Sequence, residues 1–349
     1  MKREIWGWNV GIDISKDDFK ACICFMLADR EIKVKSSRSF KNHRRGFEEF
    51  QSWVSSKLKD TEASVSFTME ATGVYYESLA YFLYHSGLYV SVLLPNMAKN
   101  YAKSLNLKSK TDKVDAKMLG YMGLERRLNA WEPMSSQMYI LKKYSRERSM
   151  LVASRTATTN RIHAEKSCHS PNADFLKRAE QRKELQNKQI KQVEKAMKQA
   201  VKKDKELKQR IDNICTVNGL GFISVVCVVA ETNGFALFRN QSQLTSYAGY
   251  DAAHIESGPE KGKIDTSKRG NSDIRGALYM PALTAIRHNP EMKAFFERVF
   301  YRSFIYKKAN VAVQRKLLIL IYTLFRKNEP YDPTYNKKDK LVPVLGSVV

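Results

Sequence analysis

In the stretch KTDKVDAKML, residues 110–119, Asp112 and Asp115 lie three residues apart among lysines. On a helix, positions i and i+3 share one face, so such a pair can present two carboxylates to a single point. Two further acids end strand-like runs: Asp13 in WNVGIDI and Glu70 in SVSFTME. Acids at strand ends point out of a sheet at one edge, where sites in open sheets form. Four carboxylates that converge would suit a hard cation such as Mg²⁺, which takes oxygen ligands and leaves positions open for water and phosphate. Two such ions, about 4 Å apart, can activate the attacking oxygen of a phosphodiester reaction and stabilise the leaving one. Lys108, Lys110, Lys113 and Lys117 would then hold the backbone of the polyanion. The plainer account makes Asp112 and Asp115 an exposed pair whose first acid favours the helix dipole. Asp13 and Glu70 are what tilt the balance towards a site.

The whole chain favours a polyanionic partner. Its 349 residues carry 60 Lys and Arg against 36 Asp and Glu, a formal charge of +24, and the isoelectric point is near 9.7. An excess of that size, spread from Lys2 to Lys340, points to nucleic acid. A second basic constellation occupies residues 247–282, YAGYDAAHIESGPEKGKIDTSKRGNSDIRGALYMPA, rich in Gly, Ser, Lys and Arg. There Lys261, Lys263, Lys268, Arg269 and Arg275 could stabilise charge on a phosphate, with His254 in reach. Ser257 lies among them without the Gly-x-Ser-x-Gly surround of a hydrolase elbow, and from the residues alone it reads as an exposed loop serine.

These residues need elements to position them. Strand patterns run from Trp6 to Ile14, from Phe19 (FKACICFML) and from Glu31 (EIKVKSSRSF), with ADR as the intervening turn, which makes an antiparallel meander. A helix from Phe47 to Leu58 buries Phe47, Phe50, Trp53 and Val54, and the strand ending at Glu70 follows. A helix from Tyr75 to His85, a buried strand LYVSVLLP closed by Pro95, and helices from Asn96 and Thr111 complete the series. The expected result is a mixed sheet flanked by helices in a ribonuclease-H-like arrangement, with Thr111 capping the helix of Asp112 and Asp115.

Beyond Trp131 the pattern is helical and basic, broken at HSP, residues 169–171. Ile190, Val193, Met197, Ala200, Leu207, Ile211 and Ile214 alternate by three and four, with Asp204 in one seam position, which is a coiled-coil signature. An antiparallel hairpin on the same chain explains the stripe as well as pairing between chains does. From Lys177 to Arg210, thirteen Lys or Arg face five acids. In VNGLGFISVVCVVAE, residues 217–231, a Gly-x-Gly turn opens an apolar helix like the hairpin of helix-hairpin-helix modules, whose N–H groups receive phosphate.

Taken together, GIDISKDDF, EATGVYYESLAYFL, KTDKVDAKML, VNGLG, YAGY, ESG, SKRGN and IRGALYMPA resemble, in order, the motifs of DEDD-type insertion-sequence transposases, relatives of the Piv-type DNA invertases. The resemblance covers nearly the whole chain. It implies an α/β plus α architecture: a RuvC-like (RNase-H-like) catalytic domain over residues 1–130, a helical linker and basic coiled coil over 131–212, and a mainly helical transposase domain over 213–349 with a helix-hairpin-helix-like element. It also implies that Asp13, Glu70, Asp112 and Asp115 bind Mg²⁺, and that Ser257 is the nucleophile that forms a phosphoserine with DNA. Such covalent storage of the phosphodiester energy lets strands rejoin without an external energy source. Lys110, Lys113, Lys261, Lys263, Lys268, Arg269 and Arg275 would bind nucleic acid. The partners implied are donor and target DNA and a structured bridge RNA that pairs with both, so that base pairing reads sequence while the protein, a homodimer or homotetramer, reads backbone and shape. After ESG, where the family commonly carries Arg-Gly, this chain reads PEKGK, so Lys261 or Lys263 takes the arginine's place as a point charge without a bidentate fork.

The competing expectation is an RNase-H-like nuclease or Holliday-junction resolvase that uses metal-activated water, with Ser257 incidental. An inert nucleic-acid-binding protein comes next. An actin-like sugar kinase also begins with a GID strand but needs glycine-rich phosphate motifs that this sequence lacks. LLILIYTLF, residues 317–325, is about half a membrane span and reads as a buried helix. The basic start lacks a hydrophobic region, and Cys22, Cys24, Cys168, Cys215 and Cys227 lack zinc spacing, which together predict a cytoplasmic, nucleoid-associated protein with reduced core thiols.

Overall fold

Period-two alternation makes the start of the chain a meander. In the computed structural model, which describes residues 4–58, 64–71, 73–105, 112–236, 238–253, 265–266 and 270–333, strands β1 (Ile5–Ile14), β2 (Asp18–Leu27) and β3 (Ile32–Lys41) pair antiparallel. At 112, 113, 252, 253, 265 and 266 the description is of backbone alone. The chain divides into two compact units, Met1–Pro133 and Met134–Val349.

In the first unit, helix α1 (Arg44–Lys57) leads to β4 (Val65–Glu70), which runs parallel to β1, and α2 (Glu77–His85) leads to β5 (Tyr89–Leu93), parallel to β4. The sheet order is β3-β2-β1-β4-β5, the mixed sheet that the element order predicts. Val10, Ile12 and Ile14 of β1 share one face with Phe67 and Met69 of β4, and bury with Phe19, Phe40, Phe47, Phe50, Trp53 and Leu83. Each large apolar side chain buried this way contributes about 1.5–3 kcal/mol. The free edge of β5 is covered by the segment after the last helix of the unit: Trp131 N–H donates to Val90 O at 2.7 Å and Ser91 Oγ to Asn129 O at 2.9 Å. Helix α3 (Pro95–Ser104) starts on Pro95, whose missing N–H costs nothing in a first turn.

The opposite face of the sheet receives α4 (Asp112–Glu125) at unusually short range. A Cβ on Gly11 would overlap the Ala116 carbonyl and the Gly120 backbone; one on Gly123 would overlap the Asn9 and Thr68 side chains; and one on Gly120 would stand 2.7 Å from Cys24 Sγ. Glycines on both partners therefore set the distance between helix and strand. Beneath the helix, Asn9 ties β1 to β4: its buried amide donates to Ser66 Oγ at 2.8 Å and Thr68 Oγ1 at 2.9 Å.

The second unit opens with α5 (Ser136–Lys166) and α6 (Ala173–Lys202), which form an antiparallel hairpin. Arg148 meets Glu194 at 2.6 Å and Gln186 Nε2 donates to Ser154 Oγ at 2.8 Å across it. The coiled-coil stripe expected to continue past Asp204 to Ile214 is divided at that residue. Asp204 is an N-cap rather than a seam residue: its carboxylate accepts from Leu207 N at 2.9 Å and starts α7 (Lys205–Cys215), because a short acidic side chain satisfies a first-turn donor better than it fills a core position. Ile190, Val193 and Met197 thus lie on α6 and Leu207, Ile211 and Ile214 on α7. Helices α8 (Phe222–Glu231), α9 (Gln241–Ala248), α10 (Ser272–His288), α11 (Pro290–Ser303) and α12 (Tyr306–Lys327) follow, with a two-stranded pair, β6 (Ala252–Ala253) and β7 (Asp265–Thr266), after α9. Their core joins Val225 and Val229 of α8, Leu278 and Ala282 of α10, and Leu317 and Ile321 of α12. Gly219, at φ +106°, lies where the α7–α8 turn meets the backbone of Ala285 on α10. The expected buried helix at 317–325 is the inner part of α12, and among the described residues no helix is long and apolar enough to cross a membrane.

If the glycine contact sets the geometry of the first unit, Gly11→Ala should lower its unfolding free energy by about 1–3 kcal/mol, since the blocking atoms are backbone and cannot swing aside. Urea denaturation followed by Trp fluorescence would measure the loss, and Gly87→Ala, where a Cβ meets nothing within 4 Å but φ is +72°, should cost only the smaller strain of a left-handed residue.

Candidate active site

The first constellation follows from strand alternation. Because Val10, Ile12 and Ile14 face the aromatic core, Asn9, Gly11 and Asp13 face α4, and on β4 the same parity puts Ser66, Thr68 and Glu70 on that side. The parallel register pairs Gly11 with Thr68 and Ile12 with Met69, so Asp13 and Glu70, one step further on each strand, are cross-strand neighbours. Helix α4 runs antiparallel to β1: Gly7 lies by Leu124, Asn9 by Gly123, and Gly11 by Ala116 and Gly120. Continued by one residue pair, that progression carries Asp13 to the first turn of α4, which begins at Asp112 and contains Asp115.

Asp13, Glu70 and Asp115 are all half-buried, and each takes part in at least one polar or electrostatic interaction. The Asp112 and Lys113 side chains lie outside the described residues, as do Lys110 and Thr111. Among the described residues, no group of three or more acids, histidines or cysteines is gathered closely enough to hold a metal ion. The donors expected of the site are nonetheless of one chemical kind, carboxylate oxygens from three elements that reach the same end of the sheet. Asn42, which no sequence motif marks, ties that end together: its amide donates to Ser15 O after β1 at 2.9 Å and to Tyr75 O after β4 at 3.1 Å. Lys117 lies over the Tyr121 ring, 5.0 Å from its centroid.

The second constellation belongs to the other unit. Ser257, Lys261, Lys263, Lys268, Arg269 and His254 lie outside the described residues, but the chain on either side of them is described. Its anchor is Glu231, the last residue of α8, whose side chain is fully buried. Arg146 of α5 grips it bidentately, Nε to Oε1 at 2.7 Å and NH2 to Oε2 at 3.0 Å; Lys142 stands 3.8 Å away, and Asn271 Nδ2 donates to Oε2 at 2.8 Å. Asn271 in turn caps α10, accepting from the Asp273 and Ile274 amides, while its own N–H donates to Tyr247 O at 2.8 Å. The Tyr247 hydroxyl donates to Glu231 O at 3.3 Å. Gly270 fits only without a Cβ against Tyr247–Gly249. Arg275, expected on a phosphate, donates from NH1 to Ala248 O at 2.8 Å and more weakly to Asn271 O. Residues 247–253 and 270–275 are thus clamped side by side, with β6 paired to β7 between them.

The charges follow from this packing. Burial by itself would raise the Glu231 carboxyl, but hydrogen bonds from Arg146 and Asn271 and the nearby Lys142 outweigh it and hold the group below the usual carboxylate range. The hydrogen bond to Glu231 raises Arg146 in turn. Burial pushes Tyr247 up against the opposing Asn271 contact, and pushes the Cys215 and Cys227 thiols to about 11. Cys24 is raised by its hydrogen bond with Cys22 and by burial. Those thiols are protonated at neutral pH, as core cysteines should be. In the sequence, Glu231 is simply the end of an apolar run. The clue was there, since a carboxylate closing so apolar a helix cannot be buried without partners.

Residues 10–165 match the family described as Transposase (DEDD_Tnp_IS110), and residues 211–297 match the Transposase IS116/IS110/IS902 family. The chain is 28% identical over 329 residues to the pilin gene-inverting protein of Moraxella bovis, covering 93% of this chain and 97% of that one. The pilin gene-inverting protein of Moraxella lacunata is similar to the same extent. Among solved structures, Thermus thermophilus RuvC matches at 11% identity and a TM-score of 0.27, over 36% of this chain and 99% of that one.

Because the Glu231 carboxyl is held low in the folded state, its contribution to stability is present above the ordinary carboxylate range and disappears as pH falls through the folded value. Glu231→Gln should therefore cost roughly 1–3 kcal/mol at neutral pH, where it removes the carboxylate shared by Arg146 and Lys142 and leaves Arg146 only Asp273 at 3.8 Å, and less at a pH low enough to protonate the folded carboxyl. Guanidinium melts of both proteins at the two pH values would check this.

Proposed function

From a chain that carries the two domains of IS110-family transposases, we propose an RNA-guided DNA recombinase that cleaves and rejoins strands through a phosphoserine at a Mg²⁺-dependent site. The reading is supported by the parallel register that brings Asp13 and Glu70 to adjacent strand ends, and by the antiparallel course along β1 of α4, whose first turn contains Asp115. In it Asp13, Glu70, Asp112 and Asp115 hold Mg²⁺. The bound ion would supply Lewis-acid stabilisation of charge on the phosphate oxygens and leaving oxygen. The Ser257 oxygen bonds to phosphorus as the bond from phosphorus to the leaving sugar oxygen breaks, and the hydroxyl proton passes to that oxygen. The reverse attack by a sugar hydroxyl restores the serine and joins the strand, with no net change in the number of phosphodiester bonds.

Around that step, Lys110, Lys113, Lys261, Lys263, Lys268 and Arg269 hold phosphates, and the Glu231–Asn271 clamp fixes both ends of the segment that carries Ser257. Arg275 reinforces that clamp through Ala248 O. The relatives named for inverting a pilin gene support rearrangement of DNA as the outcome. The net charge of +24 and the lysine-rich helices α6 and α7 support a polyanionic guide as well as a polyanionic substrate. The protein works as a dimer or tetramer, so that paired strand ends are held together.

Incubation with a supercoiled plasmid carrying the element's ends, in Mg²⁺, tests the two halves separately. Ser257→Ala should abolish the denaturant-resistant protein–DNA adduct while the copurifying RNA is retained. Asp13→Ala should lower cleavage at least a hundredfold. Cleavage without any adduct in the wild type would establish a water-using nuclease in place of the recombinase.

A further inference from the structure

The corner between α11 and α12 presents rings and bases together. Tyr301 is 66% exposed, Phe304 75% and Tyr306 54%, with Ile305 beside them. Arg302, Lys307 and Lys308, all exposed, adjoin these rings in the chain, Arg298 one turn earlier lies over the Phe295 ring at 5.2 Å, and none of the four is in an ion pair among the described residues. Three helices of this unit end on a residue with left-handed φ, and two use the residue types suited to it: Gly249 after α9 and Asn328 after α12. The third uses Phe304, at φ 50°. A bulky side chain there carries backbone strain that Gly would not.

The strained ring is also buttressed. Phe296 and Phe300 stack beneath the corner with centroids 6.0 Å apart and planes 5° apart; Phe300 packs against Tyr301 at 5.7 Å and Phe304 at 6.2 Å, and Phe296 against Tyr306 at 5.2 Å. Rings held in this way lose little freedom on binding. Aromatic faces interleaved with Lys and Arg are the arrangement that stacks unpaired bases while cations follow the backbone. A second copy of the chain is a poor occupant, because it would bring the same cluster of positive charge against this one.

We propose that Tyr301, Phe304 and Tyr306 form a stacking platform for unpaired bases of single-stranded DNA. The platform rests on the reading of the chain as a protein that acts on DNA, but needs neither the acids nor the serine of the proposed reaction. Strand cleavage and exchange expose such bases, and the corner would keep them from re-pairing.

The test is fluorescence anisotropy of the full chain with a labelled 12-nucleotide single strand, its RNA counterpart and the DNA duplex. Phe304→Gly should weaken single-strand DNA binding roughly tenfold and duplex binding by less than twofold, while its melting temperature stays level or rises because strain is relieved. Tyr301→Ala with Tyr306→Ala should act in the same direction, and a bromodeoxyuridine strand should crosslink within residues 301–306. Unchanged single-strand affinity in both variants, an equal loss on the duplex, a loss confined to RNA, or a loss of self-association in sedimentation would each overturn the proposal. Ring-dependent binding by a protein that forms no adduct and cuts nothing would refute the proposed recombinase and leave the platform standing.

Discussion

The contact on which the first unit depends is the approach of a helix to a strand at glycines, where the backbones of Gly11 and Gly120 meet directly. Gly11 on β1 and Gly120 and Gly123 on α4 remove the Cβ atoms that would otherwise hold the two backbones apart. Ordinary packing of a helix on a sheet places large apolar side chains in the gap, and the polar ends of both elements then sit far from one another. Here the gap is closed, so the start of α4 is brought to the ends of β1 and β4. Three small glycines thus decide how near the start of α4 comes to the sheet.

The second unit solves a related problem by the opposite means. Its core is apolar on nearly every helix, yet Glu231 is buried at the end of α8. A carboxylate there is tolerable only because a bidentate arginine, a lysine and an asparagine amide replace its water. The result is directional where hydrophobic packing is not. The cations come from α5 and the amide from the cap of α10, with Tyr247 of α9 bonded to both Asn271 and the Glu231 carbonyl, so the network fixes α5, α8, α9 and α10 in one mutual arrangement and sets the two ends of the basic segment side by side. Removing Arg146 or Lys142 would leave Glu231 a dry charge with fewer partners, which makes the network a constraint on conformation more than a source of net stability.

The surface is organised by charge in a third way. The long hairpin α5–α6 displays many cations to solvent, mostly on flexible stems that suit phosphate without reading sequence. The α11–α12 corner instead holds rigid rings among its cations. Long-range attraction and short-range stacking therefore reside on different elements of the same unit.

The local order of elements was legible in the sequence, because period-two alternation, strand-closing Pro95 and the apolar stripes of the helices are written in neighbouring residues. So was the placement of Asp13 and Glu70 at strand ends, since parity and strand length fix both. What the sequence could not decide were matters between distant residues: that Asp204 would cap a new helix instead of filling a seam, that Arg146 would find Glu231 across 85 positions, and that Gly11 would face Gly120. The meaning of Phe304 likewise rests on a backbone angle that no local pattern prescribes. Periodicity reports which face of an element is apolar, but a close approach or a buried charge is settled only by what another element brings to meet it. That meeting depends on the sheet's register and the crossing of helices, and those exist only once the chain has folded.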